Sequence, residues 1–209
     1  DQNAAADDET MRFMNNALVH SPLLDSGGDA GVDAYGFTPG ARVAYINETS
    51  GTQPWGVSVG VFGSGPAANF SGSLGKPFVI AQIEAAPRFF TGLAGNYRLY
   101  AWRNGRASNF DGTTASHVGW GVSADQRVNE DWTLFARLGR QASGKVRFDR
   151  AVTLGAETDG SRWGRAADAV GLGFAVLGTS AAYREASADA SLAGYAAAAS
   201  ERIAELYYR

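Results

Sequence analysis

The chain has 209 residues, enough for one domain, with a formal charge of −3 and 45 % hydrophobic against 19 % charged residues. Its arginines and lysines are scattered, which excludes the basic stripe expected of a nucleic-acid binder. No run of 18 or more apolar residues occurs, so no segment can cross a membrane as a helix; a crossing by strands stays open. The 27 glycines and the aromatic set of 8 Tyr, 11 Phe and 5 Trp suit tight strand turns and interfacial girdles. The absence of cysteine fits many compartments, among them those where stray disulfides are a hazard.

Residues 1–35 form a distinct opening segment. Asp7, Asp8, Glu9 and Thr10 place acids where a helix N-terminus favours them, predicting a short helix over Thr10–Val19. Met11, Met14 and Leu18 share one face of it, with Phe13 and Ala17 beside them; Pro22 and Gly27-Gly28 end it. No basic region followed by an apolar stretch opens the chain, so an export signal is expected to have been removed or to lie outside this sequence.

From residue 36 to 209 the period changes from about 3.6 to 2, which predicts one all-β antiparallel domain. In Trp55–Val61 every odd position is apolar and every even one small or polar. The same alternation runs through His117–Gln126, Trp132–Gly139 and Val170–Val176, and more weakly through Ala41–Glu48, Val79–Ala85, Asn96–Arg103, Val146–Glu157 and Glu201–Arg209. About nine strands result. Val128–Asp131 is a short polar hairpin turn, whereas 63–77, 105–116, 158–167 and 183–200 read as long connections, and Ala186–Ala199 as a short helix or a loop folding inward. Short turns at one rim and long loops at the other characterise membrane barrels.

Period 2 alone does not separate a soluble sheet from a membrane one, because both can have one wet face. The polar face decides. It carries glycines with Arg42, Gln82, Glu84, Asn96, Arg98, Asp125, Arg127, Arg137 and Glu157, and lysine is nearly absent. Arginine facing acids across water, with small neighbours leaving space, suits a polar lumen better than a soluble surface. Tyr45, Trp55, Trp120, Trp132, Phe148 and Trp163 at strand ends would form the interfacial belts. The bland alternative makes them core aromatics of a soluble β-domain such as a lectin.

Several phrases together resemble the carbohydrate-selective, OprB-like porins of Gram-negative bacteria. They are Asn3-Ala-Ala-Ala-Asp-Asp-Glu-Thr10, Ala17-Leu-Val-His-Ser-Pro-Leu-Leu-Asp25, Gly95-Asn-Tyr-Arg-Leu-Tyr-Ala-Trp102, Gly119-Trp-Gly-Val-Ser-Ala-Asp-Gln126, Trp163-Gly-Arg-Ala-Ala-Asp168 and Glu205-Leu-Tyr-Tyr-Arg209. None is a catalytic signature; their number and order carry the likeness. The resemblance implies a sixteen-stranded transmembrane barrel in the bacterial outer membrane, of which this chain looks like a middle-to-late portion. An odd strand count points the same way, since single-chain bacterial barrels have even numbers and an open edge in lipid leaves backbone groups unpaired.

Passive sugar transport needs no nucleophile or acid–base pair, and none can be assembled here, so an enzyme is not expected. It needs donors and acceptors that replace sugar hydration, and flat rings for the apolar faces of a pyranose. Asn96, Arg98, Tyr100 and Trp102 supply these if they face inward while Tyr97, Leu99 and Ala101 face lipid. Gln82, Glu84, Asp125 and Arg137 would complete a substrate-binding lining of mixed charge, although each charge could equally serve only to hold the barrel's shape. The expected partners are small sugars, outer-membrane lipid and lipopolysaccharide, and a homotrimer is compatible with the pattern. No cofactor is expected. His20 and His117 lack carboxylates at ligand spacing, so no metal site is expected, and Asp149, Asp159 and Asp168 read as solvated loop acids rather than a calcium site. The alternative functions are a plugged barrel with a binding or anchoring role and the soluble lectin-like domain.

Overall fold

The structure, a computed structural model, describes residue 18 and residues 39–48, 53–64, 73–90, 92–188 and 196–209. The strands are β1 (Gly40–Asn47), β2 (Trp55–Ser64), β3 (Ser73–Ala85), β4 (Arg88–Phe89), β5 (Leu93–Ser108), β6 (Thr114–Arg127), β7 (Trp132–Ser143), β8 (Phe148–Asp159), β9 (Ala169–Thr179) and β10 (Ser200–Tyr208). They form a single ten-stranded antiparallel sheet in the order β1-β2-β3-β5-β6-β7-β8-β9-β10, with the two-residue β4 paired to β5 off this path. Each of the nine expected strands has its counterpart, and β4 is the addition. The sheet is not closed: β1 and β10 stand at the two ends of the path. The helix expected over Thr10–Val19 lies outside the described residues except for Leu18, as does most of the 1–35 segment.

Every neighbouring pair is a hairpin, so contacts along the path are between strands close in sequence. The longer strands exceed the roughly 9–11 residues needed to cross a bilayer at a tilt, β5 with 16 and β6 with 14 residues. They continue into a segment expected to be a loop: β5 runs to Ser108 and β6 begins at Thr114, so only residues 109–113 connect them. A bulge between Asn104 and Ala107 keeps the pair in register. Long and short connections do not sort cleanly between rims. The turn 144–147 lies at the same rim as the start of the connection that leaves β9, and the short 128–131 at the same rim as 160–168. The Ala-rich connection after β9 starts with α1 (Ala181–Ala186), capped by the Ser180 hydroxyl, which accepts from the Tyr183 amide.

Alternation sorts side chains as the sequence requires. One continuous outward row is Tyr45, Val57, Ile83, Leu99, Val122, Leu138, Val152 and Val176, each paired across to the next. These apolar side chains are exposed, Val57, Leu99 and Val152 at 39, 53 and 44 %. The inward face is the buried one. There, rings lie over glycines directly opposite on the next strand: Tyr100 over Gly121, Trp102 over Gly119, Phe135 over Gly155 and Tyr207 over Gly171. A Cβ at Gly121 would stand 2.3 Å from the Tyr100 hydroxyl oxygen, well inside contact distance. These glycines are there to make room for rings, and an aromatic over a glycine also fixes strand register.

Two inward clusters follow. Phe78, Tyr100 and Trp102 pack with Phe62 and Ile80, the Phe78 and Trp102 rings stacked 6.1 Å apart. Leu18, Phe135, Ala151, Ala175 and Leu177 pack with Phe148, Ile203 and Tyr207. Phe148 therefore leaves the expected interfacial belt. A register shift between Phe148 and Arg150 inserts Asp149 as an extra residue, which reverses parity at that point and turns Phe148 inward. Tyr45, Trp55 and Trp163 are exposed at one rim, where the Tyr45 and Trp55 rings lie 5.7 Å apart and Phe89 meets Tyr97 edge-on.

The other rim is stitched by polar contacts between the 109–113 and 144–147 connections. Lys145 Nζ reaches Asp111 Oδ2 at 2.7 Å, the Lys145 amide donates to Asn109 Oδ1, and the Phe110 amide donates to the Lys145 carbonyl. The hydrogen bond from Lys145 holds the Asp111 carboxyl well below the usual carboxylate range, helped by the Thr113 hydroxyl and amide. A depressed carboxylate stabilises the folded state above its unfolded value near pH 4, and that contribution is lost as pH falls through the depressed value. Amides of 109–113 are therefore expected to keep their hydrogen-exchange protection down to about pH 4 and lose it below; Asp111→Asn should abolish the acid step. A second expectation concerns the glycine–ring pairs. Gly121→Ala should destabilise the refolded protein by about 1–3 kcal/mol in urea, and much less in a Tyr100→Ala background; additive costs in that double-mutant cycle would show that the ring does not set the glycine.

Candidate polar lining of the inner face

Parity places all eight sequence-predicted lining residues on the inward face, in adjacent cross-strand rows. Gln82 lies opposite Tyr100, and Glu84 opposite Arg98. Arg98 in turn faces Ser123, which faces Arg137, while Asn96 faces Asp125. Trp102 occupies the row beyond Tyr100. Three strands, β3, β5 and β6, thus deliver the central side chains, and β7 adds Arg137.

Five of the eight form one contact network. Asp125 is its hub: Asn96 Nδ2 donates to Oδ2 at 2.8 Å, and Arg98 Nη1 lies 3.5 Å from Oδ1. On the other side Arg98 Nε stands 4.0 Å from Glu84 Oε2, which also accepts from Gln82 Nε2 at 3.1 Å. Two acids flank one guanidinium, so the patch carries both signs. Glu84 is the most open member, with 35 % of its side chain exposed against 16 % for Arg98 and 8 % for Asp125. Gln82 Oε1, buried, has no hydrogen-bond partner among the described residues and is a spare acceptor on this face.

The remaining three are placed differently. Tyr100 and Trp102 are buried in the aromatic cluster, their rings laid over Gly121 and Gly119, so they form a wall behind the polar network. Arg137 reaches a different element as well. Its Nη1 donates to the Leu18 carbonyl at 2.8 Å, tying a residue of the opening segment to the inner face beside Phe135. A distant backbone partner leaves no trace in spacing or alternation, and could not be read from the sequence.

Sequence reasoning also missed an acid–phenol pair, in which the Tyr207 hydroxyl donates to the Glu157 carboxylate one row beyond Asp125. Glu157 was recognised as inward; Tyr207 shares that parity in Glu201–Arg209, and was overlooked because the final strand was read only as a weak alternation. Toward the stitched rim, His117 is fully buried, with Nε2 2.8 Å from Asn109 Oδ1 and Nδ1 3.0 Å from Gln141 Nε2. An amide donor at Nδ1 leaves Nε2 as the protonated nitrogen of a neutral ring. Among the described residues no group of three or more His, Cys, Asp or Glu is arranged to hold a metal ion.

An antiparallel hairpin sheet with an exposed apolar face and a buried polar, aromatic-backed one has the makings of a membrane barrel wall. The sequence matches the family model described as carbohydrate-selective porin, OprB family, over residues 1–209, and the chain belongs to that family. The structure is similar to one of Pseudomonas putida OprB determined at high pH, with a TM-score of 0.66 and 23 % identity. That likeness covers 81 % of this chain and 49 % of the other, so this chain corresponds to about half of the solved one. No curated protein matches it in sequence. The family and fold are those of a channel rather than an enzyme.

The geometry ranks the two carboxylates. Asp125→Ala should cost about 1–3 kcal/mol, because it leaves the half-buried Asn96 amide without its acceptor and Arg98 with Glu84 alone. Glu84→Ala, more exposed and at the limit of contact, should cost about 0–1 kcal/mol. Urea unfolding of the refolded proteins measures both; a reversed order would contradict the assignment of Asp125 as hub.

Proposed function

We propose that the chain forms part of the wall of an outer-membrane pore through which monosaccharides and related small sugars diffuse passively. The observation that carries this reading is the Gln82–Glu84–Arg98–Asp125–Asn96 network on the inward face, directly behind an outward row of exposed aliphatic side chains. A neutral sugar can exchange water for donors and acceptors of both signs, and the inward Arg137 offsets the second carboxylate of a network that holds two acids and one guanidinium. Glu84, Arg98 and Asn96 are the members that keep open surface for a solute. Asp125, itself held by Asn96, and Glu84, held by Gln82, set the angle of the guanidinium. Tyr100 and Trp102 back the network and stiffen it rather than presenting open ring faces.

This assignment needs the outward row to meet hydrocarbon. Val59, Leu99, Val122, Leu138 and Leu154 are each more than a third exposed, and such a continuous apolar surface on a soluble monomer would be an aggregation liability. In lipid it is the favourable solvent contact. The partners that follow are sugars inside and outer-membrane lipid outside, and association into a homotrimer is compatible with it.

A second reading is favoured by one observation, Leu18 seated on the inward face and held by Arg137. A residue seated there takes up room on the β7–β10 side, and a fully plugged barrel would bind or anchor rather than conduct. Liposome swelling separates the two. The complete chain, reconstituted, should admit glucose faster than a zwitterion of equal size, and Arg98→Ala should shrink that difference. Equal permeation of both solutes would remove the sugar preference, and no swelling with either would favour the plug.

A further inference from the structure

The outward face is chemically different at its two ends. Toward the strand ends beside 86–87, 128–131 and 160–168, the outward positions include the aromatics Trp55, Tyr97, Trp132 and Tyr208. At the opposite rim the apolar rows give way to arginine. Arg140 and Arg150 are directly paired across β7 and β8, Arg140 also faces Trp120, and Arg103 faces Val118 on β6. All three lie on the outward side and are exposed, Arg140 and Arg150 with 45 and 50 % of their side chains open. The bulged Asp149 sits between the paired arginines, 3.6 Å from Arg140 and 3.0 Å from Arg150, and no acid pairs with Arg103 among the described residues. One carboxylate among three guanidiniums leaves the patch net positive.

We propose that Arg103, Arg140 and Arg150 form a binding site for the phosphate groups of lipid A, the anionic glycolipid of the outer leaflet. The site rests on the membrane reading above and adds to it a lipid partner and an orientation. A guanidinium presents a planar fork that matches phosphate oxygens, and two of them on paired strands can grip one group from both sides. Asp149 holds the pair in place, and Arg150 lies over Gly178 on the neighbouring strand. Arg140 and Arg150 stand one row beyond Leu138 and Val152, the last outward branched aliphatics of β7 and β8, which sets the pair at headgroup depth. Basic side chains at that level each strengthen attachment to anionic lipid, and the attraction falls with salt. The rim bearing 109–113 and 144–147 then faces the cell exterior, and the aromatic rim faces the periplasmic leaflet of phospholipid.

The test uses the full chain extracted from outer membranes in mild detergent, with bound lipid A measured by native mass spectrometry. The native protein should retain lipid A, and the R103Q/R140Q/R150Q variant should retain about tenfold less or lower still, as three lost headgroup contacts imply. The variant R162Q/R165Q, at the aromatic rim, should retain the native amount. In nanodiscs, lipid A should be preferred over phosphatidylglycerol at equal charge, and inorganic phosphate alone should not compete at millimolar levels. Equal retention by native and triple variant overturns the site, and equal preference for phosphatidylglycerol overturns lipid A as its occupant. Recovery of the native chain without detergent overturns the membrane reading itself, before any lipid is measured. Heat-modifiable gel mobility confirms folding of each variant, and R150Q and R103Q singly replace the triple substitution if it does not fold.

Discussion

A backbone in which every strand pairs with its sequence neighbour leaves each side chain only two choices of face, and pairing passes that choice from strand to strand. Once Val57 is outward opposite Ile83, then Leu99, Val122, Leu138, Val152 and Val176 are outward too, because each is the register partner of the one before. A slip of one residue in any hairpin would carry the polar network to the apolar side. The placement of Glu84, Arg98 and Asp125 on one face is thus a consequence of register rather than of attraction among the three. Their contacts, at 3.5 and 4.0 Å, are too loose to have selected it.

What fixes register is steric. Tyr100, Trp102, Phe135 and Tyr207 each lie opposite a glycine, and a shift of two residues would set either Trp102 opposite His117 or Tyr100 opposite Ser123. A soluble sheet would fill the inward face with interlocking aliphatics; here rings lie flat on the wall and leave space beyond it. Glycine content, aromatic content and polar inner surface are therefore one feature seen three ways. Where the rule is broken, at Asp149, parity reverses and a predicted belt residue becomes part of the inner cluster.

That also explains what was legible in the sequence. Alternation is local, so the nine long strands and the faces of Gln82, Asn96, Arg98, Tyr100, Trp102 and Arg137 could be read within single segments. The extension of β5 and β6 past Arg103 and His117 could not, since Gly105 and the bulge beside it mimic a loop while the backbone stays paired. Burial of Tyr100 and Trp102 depends on the partner strand's glycines and on Phe78, two strands' worth of context that one segment lacks. Arg137 is the extreme case, with a carbonyl 119 positions away as its partner. Its inward parity was predictable; its role as an anchor was not.

The inner and outer faces impose opposite demands on the same arginine residue type, and position resolves them. Inside, Arg98 stands between two carboxylates, Glu84 and Asp125, in a network that tolerates burial because each charge has a neighbour of opposite sign. Outside, Arg140 and Arg150 share a single carboxylate and remain half open, an arrangement that would be costly within hydrocarbon but is favourable at its edge, where a headgroup can supply the missing negative charge. One strand, β7, carries both kinds three residues apart, Arg137 inward and Arg140 outward. The difference between lining a lumen and meeting a lipid surface comes down to the odd spacing between them.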